Sequence, residues 1–95
     1  MKPDECDSVR HNPAAHRYEI DVNGLLAVAE YTTEGDRMIL THTFVPPELR
    51  GRGLAEKLVR RALEDARTKN AKVVPACSYV DAFIRRNPEY QTLLA

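Results

Sequence analysis

The chain has 95 residues, 43% hydrophobic and 29% charged, with 14 basic and 14 acidic side chains that cancel; it is read as a single small domain, monomeric or homodimeric. Zero net charge excludes the broad electropositive surface of a nucleic-acid binder, and neither a membrane-spanning apolar run nor a secretory leader is present. Two cysteines without C-x-x-C spacing and three unclustered histidines exclude a zinc framework and fit a reduced, cytoplasmic protein.

Met1 to Ala15 is polar and aperiodic and is read as a loose tail; residues 16–95 form the domain. In His16 to Val22 the alternation of Tyr18, Ile20 and Val22 predicts a strand. Asn23-Gly24 is a strong hairpin turn signal, and Leu25 to Thr32 is the second strand. After a turn at Glu34-Gly35-Asp36, Met38 to Val45 is the third strand, with Met38, Leu40 and then Thr43 or Val45 toward the core. Tyr18, Tyr31 and Phe44 are assigned to sheet packing. Pro46-Pro47 ends the third strand, because proline cannot donate to a ladder.

A helix follows from about Gly53 to Lys69, with Leu54, Leu58, Ala62 and Ala66 at i, i+4 spacing, widened by Ala55, Val59 and Leu63. Glu64 and Asp65 fall on its solvated face, and Asn70 terminates it. Lys72-Val73-Val74 is a short buried strand cut by Pro75. Ser78 to Arg86 is a second helix with Tyr79, Ala82, Phe83 and Arg86 on one side, stopped at Asn87-Pro88. Glu89 to Ala95 forms a short turn that packs back through Tyr90, Leu93 and Leu94. The order β-β-β-α-β-α predicts an α/β (α+β) domain with a mixed sheet, its third and fourth strands parallel across a crossover helix.

The passage from the third strand into the first helix carries the chemistry. Arg50-Gly51-Arg52-Gly53 joins strand to helix, and two glycines let backbone approach a ligand closely. Unpaired amides at a helix start, with its partial positive charge, receive anions such as phosphate. Lys57, Arg60 and Arg61 continue the basic character into the helix. The alternative is a polar turn with solvated arginines. Neither the Walker pattern nor the dinucleotide fingerprint is present.

Arg50-x-x-Gly53-x-Ala55 resembles the [Q/R]-x-x-G-x-[G/A] motif of the GNAT superfamily of acyl-CoA-dependent acyltransferases. Within it, the chain is similar to the small YjdJ-type acetyltransferase-like proteins. The segments that carry this are His42-Thr43-x-Val45, Arg50-Gly51-x-Gly53-Leu54-Ala55, Pro75-x-Cys77-x-Tyr79-Val80 and Arg85-x-x-Pro88-x-Tyr90. The resemblance implies a minimal GNAT-like fold, CoA or acetyl-CoA as cofactor, and transfer of an acetyl group to an unidentified amine acceptor. It implies that the turn from Arg50 through Gly51, Arg52, Gly53 and Leu54 to Ala55 holds the CoA pyrophosphate. It also implies that the backbone of Val45 pairs with the pantetheine arm and that the thioester enters a splay around Phe44 to Val45 and Pro75 to Cys77.

Acyl transfer to an amine needs a base and an acid. The tyrosine common in the family's last helix falls here near Phe83 or Ile84, neither of which carries a proton to give, and no carboxylate ends the third strand before Val45. His42 is the best base, with an ordinary pKa of about 6.5; the alternative is a strand histidine bonded within the sheet or exposed to water. Cys77, at the start of a helix, is a candidate nucleophile; the alternative is a packing residue. The rival to an enzyme is a CoA- or acyl-CoA-binding module without catalysis.

Overall fold

The computed structural model describes residues 9–95, and the expectations placed on residues 1–8, Cys6 among them, lie outside the described residues. Strands β1 (Arg10–Asn12), β2 (Arg17–Val22), β3 (Leu25–Glu34), β4 (Arg37–Phe44) and β5 (Lys72–Pro75) form one sheet in chain order. The first four strands pair antiparallel, and β4 pairs β5 in parallel across helix α1 (Leu54–Thr68). Helix α2 (Ser78–Arg86) and a 3-10 segment, Pro88–Leu93, complete the chain. The mixed-sheet α/β class read from the sequence is the class observed.

One face of the sheet carries the core. Tyr18, Ile20, Ala27, Ala29, Tyr31, Met38, Leu40 and Val73 are buried against Leu54, Leu58, Val59, Ala62, Leu63 and Ala66 of α1. These helix positions recur at i, i+4 and i+5, the wide apolar stripe of a helix lying on a sheet. Asn70, in the left-handed region, ends α1 with a Schellman motif: its N–H donates to Arg67 C=O, and Ala71 N–H to Ala66 C=O. In α2 the buried positions are Val80, Phe83 and Ile84, so Phe83 faces in as expected while the inward side is rotated from the rest of the predicted Tyr79–Ala82–Phe83–Arg86 face. That helix has only 9 residues, too few for periodicity to fix which side faces in.

Three further readings change. Arg10 to Ala15 is not tail: it forms β1 and a 3-10 turn, Pro13–Ala15. Glu64 and Asp65 are not purely solvated, since Tyr18 Oη donates to Asp65 and Tyr90 Oη to Glu64, at 2.9 and 2.7 Å. Phe44 is not packed in the sheet core but 43% exposed. The cause is a β-bulge: Tyr31 pairs with Leu40 but Glu30 with His42, so Thr41 has no partner. Past it the alternation changes parity. Thr43 follows Met38 and Leu40 onto the helix side, while His42 and Phe44 turn to the opposite face.

That opposite face has no helix over it among the described residues. Its fixed point is Glu19, 3% exposed, which accepts hydrogen bonds from Arg17 (2.7 Å), Arg10 (2.9 Å) and Asn12 (2.9 Å) and so ties β1 to β2. Hydrogen bonds from Arg17 first, then Arg10 and Asn12, outweigh burial and hold the Glu19 carboxyl down at about 2. The depressed pKa means that the ionised carboxylate stabilises the fold fully above the ordinary glutamate range near 4.5. This stabilisation is lost as pH falls from there toward about 2. Arg10 is 65% exposed, so solvent screens part of the interaction. Urea melts are expected to show Glu19→Gln less stable by on the order of 2 kcal/mol at pH 7. The difference should shrink across that acid window; a constant difference from pH 7 to pH 2 would refute the assignment.

Candidate functional site

Beyond the last β3–β4 pair, Val28 with Phe44, the chain turns through Pro47–Leu49, and the buried Leu49 pins the turn to the core. Gly51 and Gly53 follow with φ of +87° and +75°, a region that strains any residue with a side chain. A Cβ at either would meet no protein atom within 4 Å. Backbone conformation, not crowding, therefore requires glycine here, and both positions present bare backbone to open space. The first bond of α1 runs from Lys57 N–H to Gly53 C=O at 3.2 Å. The amides of Leu54, Ala55 and Glu56 ahead of it have no intrahelical partner. Open glycine backbone beside free helix-start amides is the donor set that accepts a phosphate group.

A cavity of about 390 Å³ lies over this turn, within the size range of small-molecule sites. Val45, Arg50, Gly51, Gly53, Leu54 and Ala55 line it; Arg52 does not. Leu54 is buried and offers only its backbone. Leu49, Glu56 and Tyr79 also line the cavity and were missed. The sequence signal for Tyr79 was its place two residues after Cys77. A second cavity, about 230 Å³, lies at the far end of α1 beside Tyr31 and Lys69 and contains none of the predicted residues.

The arginines divide their work. Arg50 Nε donates to Val45 C=O at 3.1 Å and fastens the turn to the end of β4. Among the described residues Arg52 makes no ion pair or hydrogen bond, which leaves its guanidinium available to an anion. Arg60 does not serve the turn: it bonds Glu56 and Tyr90 Oη and lies 5.2 Å from the centre of the Phe83 ring. Arg61 likewise bonds Asp65 and Val9 C=O.

The cavity opens toward a gap in the sheet. Parallel pairing of β4 with β5 runs from Arg37–Lys72 to Leu40–Pro75, so the strands part before the Phe44–Val45 region the sequence suggested. Ala76 N–H, the next amide that would face β4, closes a tight turn on Val74 C=O instead, and Cys77 N–H bonds Leu40 C=O at 2.9 Å as the chain enters α2. The gap lies beside the cavity in the chain: Val45 and Tyr79, which line the cavity, each stand two residues past Thr43 and Cys77, which face each other across the gap.

Cys77 caps α2, with its Sγ 3.6 Å from Thr43 Oγ1. Burial works to raise the thiol pKa, but hydrogen bonds from the Thr43 side chain and from the Val80 and Tyr79 amides outweigh it and set the pKa below the usual value. His42, adjacent to Thr43 and paired with Glu30, projects from the opposite face. The two predicted chemical residues therefore flank the gap from opposite sides and do not form a Cys–His pair. Among the described residues no three His, Cys, Asp or Glu converge as a metal site, and no helix is long and apolar enough to cross a membrane.

A sequence profile described as GCN5-related N-acetyl-transferase matches residues 17–93. The chain belongs to this family. It is 30% identical to Protein NATD1 of Xenopus tropicalis, over 98% of this chain and 88% of the relative. It is 33% identical to the Homo sapiens Protein NATD1, over 90% and 78%. The solution structure of a GCN5-like protein from Staphylococcus aureus has the same fold, with a TM-score of 0.75 and 24% identity over 96% of this chain and 90% of that one. In this GCN5-related chain Phe83 and Ile84 are buried and apolar, and neither carries a proton to give.

With Cys6 replaced by Ser, the rate of Cys77 alkylation by iodoacetamide against pH is expected to have its midpoint below the ordinary thiol value of about 8.5. Thr43→Val should move the midpoint up. An unperturbed midpoint that Thr43→Val leaves in place would refute the hydrogen-bonding account.

Proposed function

We propose that this protein binds acetyl-CoA through the turn from Arg50 to Ala55 and transfers the acetyl group to an amine. The observation that carries the reading is a cavity over the glycine turn whose lining includes Val45 and Tyr79, each two residues past the Thr43–Cys77 pair at the gap: an anion held at the turn has an attached arm's path toward the gap. When bound, acetyl-CoA supplies a thioester, an activated acyl group. The amides of Leu54, Ala55 and Glu56 and the bare backbone at Gly51 and Gly53 hold the pyrophosphate, with charge added by Arg50 and Arg52. Val45, past the last ladder pair, keeps its N–H to pair with the arm, its C=O being taken by Arg50 Nε.

His42 lies on the side from which an acceptor enters. Its imidazole takes the proton that the acceptor nitrogen loses as the C–N bond forms and the C–S bond breaks. Cys77 offers a second route on the helix side. Its thiolate would take the acyl group as the donor thioester's C–S bond breaks and the donor thiolate leaves, and would then yield it to the amine across the gap, the cysteinyl C–S bond breaking as the C–N bond forms. A reduced, cytoplasmic setting keeps that thiol free. One observation favours the rival reading of a CoA-binding module without catalysis: Phe83 and Ile84 stand where the family commonly has a tyrosine acid.

Calorimetry is expected to show acetyl-CoA binding that Gly53→Glu weakens by about 100-fold or more, about 2.8 kcal/mol, because the new carboxylate crowds and repels a phosphate at a strained φ. No binding by the native chain would overturn the reading. Amine-dependent release of CoA that falls at least about tenfold in His42→Gln supports transfer, whereas binding without any release selects the module. Mass spectrometry of the loaded chain decides the route: acetyl on Cys77 supports the covalent one, and transfer undiminished in Cys77→Ser excludes it.

A further inference from the structure

The bulge at Thr41 makes His42 the direct cross-strand partner of Glu30 on the uncovered sheet face. Side chains so placed lie about 5 Å apart at Cβ. Glu30 is half-buried, and among the described residues its carboxylate has no hydrogen bond or ion pair. Its cross-strand neighbour on the other side, Arg17, turns its Nε to Glu19 instead, and Arg10 and Asn12 bond Glu19 as well. Both guanidiniums are thus bonded to Glu19, and the Glu30 carboxylate is left without a hydrogen-bonded partner beside His42, with Arg17 its neighbour on β2. Next to this pair, Val28 and Phe44 face each other across β3 and β4 with Phe44 43% exposed, an apolar shelf at the gap's edge.

We infer that Glu30, His42 and the Val28–Phe44 shelf form the acceptor subsite, which selects a primary alkylammonium: Glu30 holds the cation and the shelf takes its hydrocarbon. The inference rests on the acetyl-transfer reading above and deepens it. Charge complementarity fixes the class of occupant. A carboxylate or phosphate here would meet Glu30 at close range with Arg10 and Arg17 already committed, whereas an ammonium gains a charge-assisted hydrogen bond to a partly desolvated oxygen. The same contact places the nitrogen beside the His42 imidazole, which must accept its proton before attack. Glu30 is thus a binding and orienting residue, and His42 remains the base.

The test titrates the full chain, without cofactor, with n-hexylamine and separately with hexanoate, followed by amide chemical shifts. Hexylamine is expected to shift Val28, Glu30, His42 and Phe44, and hexanoate to leave them in place. Glu30→Gln, which removes charge but no native contact, should weaken hexylamine by at least about tenfold while calorimetry shows acetyl-CoA affinity unchanged. In turnover with both substrates the same variant should raise KM for the amine by a similar factor and leave KM for acetyl-CoA alone. Hexylamine shifts elsewhere, equal response to hexanoate, or an unchanged affinity in Glu30→Gln would overturn the subsite. Because the titration needs no cofactor, failure of acetyl-CoA binding would sink the acetyl-transfer reading separately.

Discussion

The turn at Ala76 is the constraint from which the site follows. Amides alternate sides along a strand, and in β5 Lys72 N–H donates to Asp36 C=O of the β4 side, so the amides of Val74 and Ala76 are the next to face β4 while the Pro75 nitrogen faces away. After the Leu40–Pro75 pair, Ala76 N–H is spent on Val74 C=O within its own strand, and β5 stops following β4. The chain closes a tight turn on Val74, returns one bond from Cys77 N–H to Leu40 C=O, and starts α2. From that point β4 runs on with β3 on one side and nothing from β5 on the other. The gap therefore opens where the Ala76 amide turns away from β4, and everything proposed to act on an acyl group is arranged around it: the glycine turn beyond the end of β4, Cys77 at the start of α2, His42 and Thr43 on β4 itself.

The bulge at Thr41 does complementary work. Were Thr41 paired regularly instead of bulged, the alternation that buries Met38 and Leu40 would carry His42 and Phe44 under α1, where an imidazole would be desolvated without a partner, and would turn Thr43 away from Cys77. With the bulge, Thr43 faces inward to hold the Cys77 sulfur, and His42 meets Glu30 outside. One unpaired residue thus places Thr43 and His42 on opposite faces of a single strand.

How much of this was legible in the sequence depends on where the information resides. The turn from Arg50 to Ala55, the span of α1 and its stop at Asn70, and the bounds of α2 are local: glycine and proline punctuation and a 3.6-residue stripe encode them within neighbouring residues. The parity change from Leu40 to Thr43 or Val45 was visible as a choice of core residues, yet its cause, a bulge against Glu30 and Tyr31, is a property of two strands and has no signature in one. β1 has only three residues, too short for alternation to register, and its pairing is carried by Glu19, seven residues or more away. The inward bonds of Glu64 and Asp65 depend on phenols brought over them from β2 and the last 3-10 segment, which a helical wheel drawn for α1 alone cannot contain. Glu30 drew no notice for the same reason: its interest comes from what Arg17 does instead of pairing with it.

Chain economy explains why one sheet face stays open. β1 to β4 are joined by turns too short to lay a helix across anything, and the helical segments that follow β4 gather on one side, where Arg60 stacks over Phe83 and Tyr90 and binds Tyr90 Oη. The uncovered side is stabilised instead by a satisfied ion cluster at Glu19 and by leaving Phe44 half in water. That arrangement suits a reaction between two molecules. An anionic ligand seated at the start of α1 occupies the helix side of the gap, so a second reactant needs access from the other side of the sheet. A helix packed there would complete the core and close that route. On the proposed transfer, exposure of the His42–Glu30 face is a requirement that a larger core would violate.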